Sequence, residues 1–180
     1  MAHPQQFEYI ESVRSKFPKN FFNAKVLEVG SVNINGSIRM LFSNCDFLGI
    51  DLAPGPDVDL VCEGQKLDHP DGTYDTIATA ECFEHNPFWV ETFENMYRMT
   101  KPNGLIIMTC ATTGRPEHGT TRTDQGNACL TATVMGWEYY KNLTEEDFRE
   151  KFDIDGMFSN YEFKIGTETH DLYFHGVKKI

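Results

Sequence analysis

The sequence predicts an α/β domain built on a mostly parallel sheet with helices on both faces, and three observations carry that expectation. Five short apolar runs, each bounded by turn residues, recur before residue 111. Two segments with a helical apolar period lie before the first run and between the fourth and fifth. Near-continuous apolar character over five or six residues suits strands covered on both faces, as in parallel sheets. At 180 residues the chain is long enough to bury one such core and short for two, so a single domain is expected over residues 1–180.

Each element can be justified in order. Phe7, Ile10, Val13 and Phe17 form one helical stripe that Pro18 stops, so a leading helix is expected within residues 1–22. The expected strands are residues 25–29, 47–52, 58–62, 75–80 and 105–110, within a core of residues 25–110. The link from Asp51 to Val58 carries Pro54, Gly55 and Pro56, and it is shorter than the dozen or so residues a parallel crossover usually takes. No helix is expected there. Ahead of the fifth strand, Asn86 is placed as a helix cap and Pro87 at the first helical position, with Phe93, Met96 or Tyr97, and Thr100 turned inward. Lys101, Pro102, Asn103 and Gly104 stop that helix. Residues 111–143 are rich in Thr and Gly and are expected to form a long loop. Within residues 144–180, Thr144 and Asp147 open a last helix as a capping box, with Asp where Glu or Gln is preferred. Residues 161–165 and 171–177 are separated by a short turn and should pair as a hairpin.

Composition narrows the function. Lys and Arg number 16 against 27 Asp and Glu, a net charge of −11 that repels phosphate backbones and anionic membranes. Neither a nucleic acid nor a membrane is an expected partner. The five cysteines are scattered, with no CxxC pair and no zinc-ligand spacing, which fits reduced thiols in the cytoplasm. No apolar run approaches the roughly 20 residues that span a bilayer, and the first residues lack the pattern of a signal peptide. A monomer or homodimer is expected.

Ligands of open α/β sheets bind beyond the carboxyl ends of the strands, where helix N-termini also point. Five consecutive expected strand ends carry unusual residues: Gly30, Asp51, Glu63, the pair Glu81 and His85, and the segment from Ala111 to Thr121. Gly30 can be a tight turn. Asp51, about 20 residues after that glycine turn, is placed to accept from both hydroxyls of a ribose or to cap the Pro-Gly-Pro turn. Glu63 can accept from an amino group or be solvated. Glu81 and His85 stand four apart across a strand-to-helix bend, and no third ligand is evident in the sequence, so no metal is expected.

These segments together resemble the class I S-adenosylmethionine-dependent methyltransferases, in particular the type 11 methyltransferase domain. VLEVGS resembles the first motif of that family, GIDLAPGPDVDLV the second, VCEGQKL the third, and PDGTYDTIATAECFEHN the fourth. MTKPNGLIIMTC resembles the helix, turn and strand that follow, and the order and spacing agree from Val26 to Cys110. The resemblance implies a Rossmann-like, seven-stranded sheet whose last strand is antiparallel, and S-adenosyl-L-methionine as cofactor. It implies cofactor contacts from Glu28, Gly30, Ser31, Asp51, Leu52, Glu63, Gly64, Glu81 and Cys82. One departure stands out: Val32 and Ile34 occupy positions where the family usually has glycine, so the loop must take another path, with Asn33 or Asn35 tolerating a positive φ. The missing glycines also count against a nicotinamide enzyme, whose pyrophosphate needs GxGxxG.

Methyl transfer needs a base only for a weak nucleophile, and His85 and His118 are the catalytic candidates because imidazole titrates near neutral pH. CATTGRPEHGTTR after the fifth strand is the most distinctive segment, and Arg115, Glu117 and His118, with Tyr140 beyond, are the expected substrate contacts. A rigid turn around Pro116 is the structural alternative. The fourth strand ends in AECFEHNP, which is neither an amino-methylating Asn/Asp-Pro-Pro-aromatic tetrad nor a Pro-Cys nucleophile, so base methylation is unsupported. The expected function is methyl transfer to a small polar metabolite or saccharide precursor. The alternative is a non-catalytic, cofactor-binding partner or sensor.

Overall fold

The computed structural model describes residues 4–180, and residues 1–3 of the expected leading segment lie outside the described residues. Helix α1 (Pro4–Lys16) leads into strand β1 (Lys25–Val29). Strands β2 (Asp46–Asp51), β3 (Leu60–Val61), β4 (Tyr74–Ala80) and β5 (Thr100–Ala111) follow, with helix α2 (Trp89–Met99) between the last two. Two short helical stretches, α3 (Leu130–Thr133) and, later, α5 (Ile154–Met157), flank α4 (Glu145–Lys151), and a hairpin of β6 (Phe158–Gly166) and β7 (Asp171–Lys178) closes the chain. These strands form one seven-stranded sheet in the order β3-β2-β1-β4-β5-β7-β6. All pairs are parallel up to β5, and β7 runs antiparallel between β5 and β6. This is the expected Rossmann-like architecture.

Apolar side chains cover both faces of the sheet. On one, Tyr9, Ile10 and Val13 of α1 pack with Phe21, Ile38 and Ile107. On the other, Phe93 and Met96 of α2 meet Phe148, Phe152, Phe158 and Phe174, all buried. Phe93 stands 5.3 Å from Phe148 and 4.9 Å from Phe152 between ring centroids, so α2 and the C-terminal elements share one aromatic core. The capping box of α4 forms as expected, since the Thr144 hydroxyl accepts from the Asp147 amide and the Asp147 carboxylate accepts from the Thr144 amide at 2.9 Å.

The differences from expectation have local causes. Between β2 and β3 no helix lies, as expected, whereas the crossover between β1 and β2 holds only a 3-10 turn, Ile38–Leu41. Strand β3 is only two residues long and exposed, because an edge strand has one neighbour to order it. Asn86 does not cap α2: a 3-10 turn at Phe83–His85 comes first, and the Asn86 side chain instead accepts from the Phe88 amide at 2.8 Å, setting the helix to begin at Trp89. Lys101 to Gly104 do stop the helix, yet they join β5 through an irregular register opposite Tyr74 and Thr76. Neither Asn33 nor Asn35 takes a positive φ; Gly30 (φ 80°) and Gly36 (φ 121°) do.

Candidate active site

The parallel strands β1, β2 and β4 end side by side, and beyond them lies a cavity of about 550 Å³. Glu28, Gly30, Ser31, Asp51, Leu52 and Gly64 line one end of it. His85, Glu117 and His118 line the other, and Glu81 and Cys82 follow β4 between the two. The sequence-predicted set is thus largely brought together, by strand ends on one side and by the segment after β5 on the other.

Two backbone amides fix Asp51. Val32 donates to one carboxylate oxygen at 2.8 Å and Leu52 to the other at 2.7 Å, so the loop without the usual glycines still wraps the acid at the end of β2. Burial holds the Asp51 carboxyl above its ordinary value, opposed by these two amides. Asn33 anchors the loop further out, its amide donating to the Pro56 carbonyl at 2.9 Å and its side chain to Asp57 at 2.8 Å. Gly30 allows the approach of β1 to β4, because a Cβ there would lie 3.0 Å from that of Cys82.

Buried acceptors without partners collect in the same place. Glu28 Oε2, Ser31 Oγ and both Glu81 oxygens are buried with no hydrogen bond. Desolvation pushes the Glu28 carboxyl up to about 8, and desolvation with the neighbouring Glu84 raises that of Glu81. Glu81 also holds a left-handed backbone, φ 53°, which non-glycine residues adopt at a cost of about 1–3 kcal/mol and mostly at functional sites. S-adenosylmethionine carries hydroxyl and ammonium donors and a sulfonium cation, and these orphaned acceptors match that chemistry.

At the other end three rings meet: His85 and His118 lie 4.9 Å apart between centroids, and Tyr140 stands 5.6 Å from the first and 5.1 Å from the second. Gly119 lets the loop close on His85, since a Cβ there would approach Cε1 to 2.6 Å. Burial lowers the His118 imidazole, whereas at His85 burial is outweighed by Cys129 and Glu84, which raise it. Cys129 was not anticipated. Burial opposes its thiolate, yet the His85 ring and the Thr131 hydroxyl outweigh burial and bring the thiol down to about 7. It lines the cavity with Thr131, Asp124 and Trp137, and only the Thr- and Gly-rich composition of that stretch hinted at a site. Burial pushes the Cys82 thiol up, consistent with a packed rather than a reactive group.

Three expected contacts sit elsewhere. Glu63 accepts from Lys66 at 2.6 Å and from Gln65 at 2.8 Å, and Gln65 rather than Glu63 faces the cavity. Arg115 does not line it either: its guanidinium donates to Asp171 at 2.9 Å and to the Thr169 carbonyl at 2.6 Å, and lies 3.8 Å from Glu81. Tyr140 buttresses the histidines from behind, its hydroxyl donating to the Pro116 carbonyl at 3.1 Å.

Comparisons with known proteins agree with this fold. Residues 27–108 match the family model described as a methyltransferase domain. No curated protein matches the sequence significantly. Among solved structures, the chain is similar to the 1,6-didemethyltoxoflavin-N1-methyltransferase of Burkholderia thailandensis, which holds 1,6-didemethyltoxoflavin and S-adenosylhomocysteine. The TM-score is 0.61 at 16% identity, over 100% of this chain and 92% of that one. It is similar to the YcgJ protein of Bacillus subtilis, with a TM-score of 0.66 at 11% identity over 99% and 100% of the two chains. A third is phosphoethanolamine N-methyltransferase 2 of Haemonchus contortus in complex with S-adenosyl-L-methionine, with a TM-score of 0.64 at 15% identity over 97% of this chain and 56% of that one. At such identities the structures speak for the fold, and the family model speaks for the domain. Residues 27–108 thus match a methyltransferase domain, and the chain shares its fold with solved methyltransferases.

Proposed function

We propose that the chain methylates an oxygen, nitrogen or carbon of a small polar acceptor, a metabolite or saccharide precursor, seated between His85, His118 and residues 111–143. The observation that carries this reading is one continuous cavity that joins Asp51 and the orphaned acceptors of β1 to the two histidines. Asp51, Glu28, Ser31, Leu52, Gly64 and Glu81 are the residues that would hold the cofactor. When bound, S-adenosylmethionine supplies an activated methyl group: its carbon–sulfur bond breaks, the electron pair stays on sulfur, and the acceptor gains the carbon.

The protein's share is alignment and exclusion of water, which supply much of the acceleration for so activated a donor. The loop of residues 111–143 covers the histidine end, and Arg115 fixes the root of that loop to the sheet through Asp171. A hydroxyl or ammonium acceptor must also shed a proton, and His85 and His118, which line the cavity, would take it. A net charge of −11 supports a small molecule over a nucleic acid as acceptor, and five free cysteines support a reducing, cytoplasmic setting. No helix among the described residues is long and apolar enough to cross a membrane.

Incubation with methyl-labelled cofactor and a panel of hydroxyl, amine and carbon acceptors tests the reading. S-adenosylhomocysteine should accumulate with at least one acceptor, and His118→Ala should reduce turnover at unchanged cofactor affinity. Tight cofactor binding with no product across the panel would leave a cofactor-binding partner or sensor in its place.

A further inference from the structure

Glu84 is fully buried, and neither of its carboxylate oxygens has a hydrogen bond. Among the described residues its ion-pair partner is the adjacent ring, with His85 Nε2 3.9 Å from Oε1. A buried carboxylate in that state costs several kcal/mol unless a cation compensates it, and buried charges in proteins are accordingly paired or bound to metals. Arg115, at the neighbouring Glu81, is engaged by Asp171 and the Thr169 carbonyl, and among the described residues no Lys or Arg forms an ion pair with Glu84. His85 is itself buried, and its Nδ1 has no hydrogen bond. His118 arrives from the loop after β5, and one ligand atom from each of Glu84, His85 and His118 falls within 4.8 Å of the others.

From this juxtaposition we propose that Glu84, His85 and His118 form a site for a divalent first-row transition-metal ion at the histidine end of the cavity. Two imidazoles and a carboxylate suit zinc, iron(II) or cobalt(II) better than magnesium, which prefers oxygen ligands and retained water. Metal–ligand bonds of about 2.0–2.2 Å bring opposed ligands to within roughly 4.2 Å, so the cluster needs only a small inward shift. His118, half-buried and on a loop, can make it. Its Nδ1 already lies 3.1 Å from the Pro116 carbonyl, and a proton there leaves the Nε2 lone pair for the ion, as in the second shells of established sites. Tyr140 packs against both rings and donates to the same Pro116 carbonyl, so it orients the pair.

Three protein ligands leave positions open, and His85 and His118 both face the cavity. The ion therefore takes an oxygen or nitrogen of the acceptor and makes its proton easier to lose. That role rests on the methyl-transfer reading above, whereas metal binding does not. With the ion in place the imidazoles act as ligands, and the proton passes to solvent.

The site is tested by stripping the full-length protein with a chelator and titrating it with Zn²⁺ by calorimetry and with Co²⁺ by visible absorption, without cofactor. One equivalent should bind, and Glu84→Gln and His118→Ala should each weaken it at least tenfold. Glu84→Gln keeps the shape of a buried side chain; if it fails to fold, His118→Ala and His118→Asn, on the loop, decide. No saturable binding, or binding that the variants leave unchanged, would overturn the proposal. S-adenosylhomocysteine affinity of the same metal-free samples reports on the methyltransferase reading separately.

Discussion

At the cofactor end of the cavity the polar groups hang on strand ends: Glu28 and Gly30 on β1, Asp51 and Leu52 on β2, Glu81 on β4. Sheet pairing places them, and backbone amides fix the key carboxylate. At the histidine end, residues 111–143 contain only short helical turns, and side chains hold them: Arg115 to Asp171, Asn142 to the Arg115 carbonyl, Tyr140 to the Pro116 carbonyl. On the proposed reading, cofactor binding is built into the framework, while the part that would select an acceptor is pinned to it by a few side chains.

The comparison breaks most visibly at Arg115. Arg115→Ala takes the guanidinium from buried Asp171, which keeps the Tyr173 hydroxyl at 3.2 Å, and from Glu81, and it should cost about 3 kcal/mol in urea denaturation. A loss under 1 kcal/mol would mean that the loop is held in some other way. At the opposite end, Gly30→Ala forces a side chain into φ 80° against Cys82, and it should cost about 1–3 kcal/mol and weaken the cofactor. Glu28 sharpens the contrast through pH. Its folded carboxyl is raised from 4.5 to about 8, so its contribution is fully present below about pH 4.5 and is lost as pH rises through 8. Glu28→Gln should therefore be more stable than the parent at pH 8, by about 1–3 kcal/mol, and show no advantage at pH 4.5. Equal melting temperatures at pH 8 would contradict that. The smallest effect is expected outside both ends: Thr144→Ala removes the cap of α4, costing about 1 kcal/mol with cofactor affinity unchanged.

Legibility in the sequence follows the same division. Strands β1, β4 and β5 were readable because burial on both faces leaves an unbroken apolar run, and Asp51 because its spacing reports its place in the sheet. The exposed two-residue β3 has no such signature, and Asn86 had two uses that propensity does not separate, capping a helix or closing the turn before it. Glu63 was expected to face a ligand, but Lys66, three residues on, is close enough to hold it. Cys129 and the convergence of Glu84, His85 and His118 could not be read at all. Each depends on where a long loop returns, which tertiary contacts fix and local sequence does not.

The central claim, that the strand ends of β1 and β2 bind the methyl donor, is tested most directly by calorimetric titration with S-adenosylmethionine. The parent protein should bind one equivalent, and Asp51→Ala should fold normally yet bind more weakly by about 1–3 kcal/mol. Absence of binding to the parent, or equal affinity in the two proteins, would contradict the account.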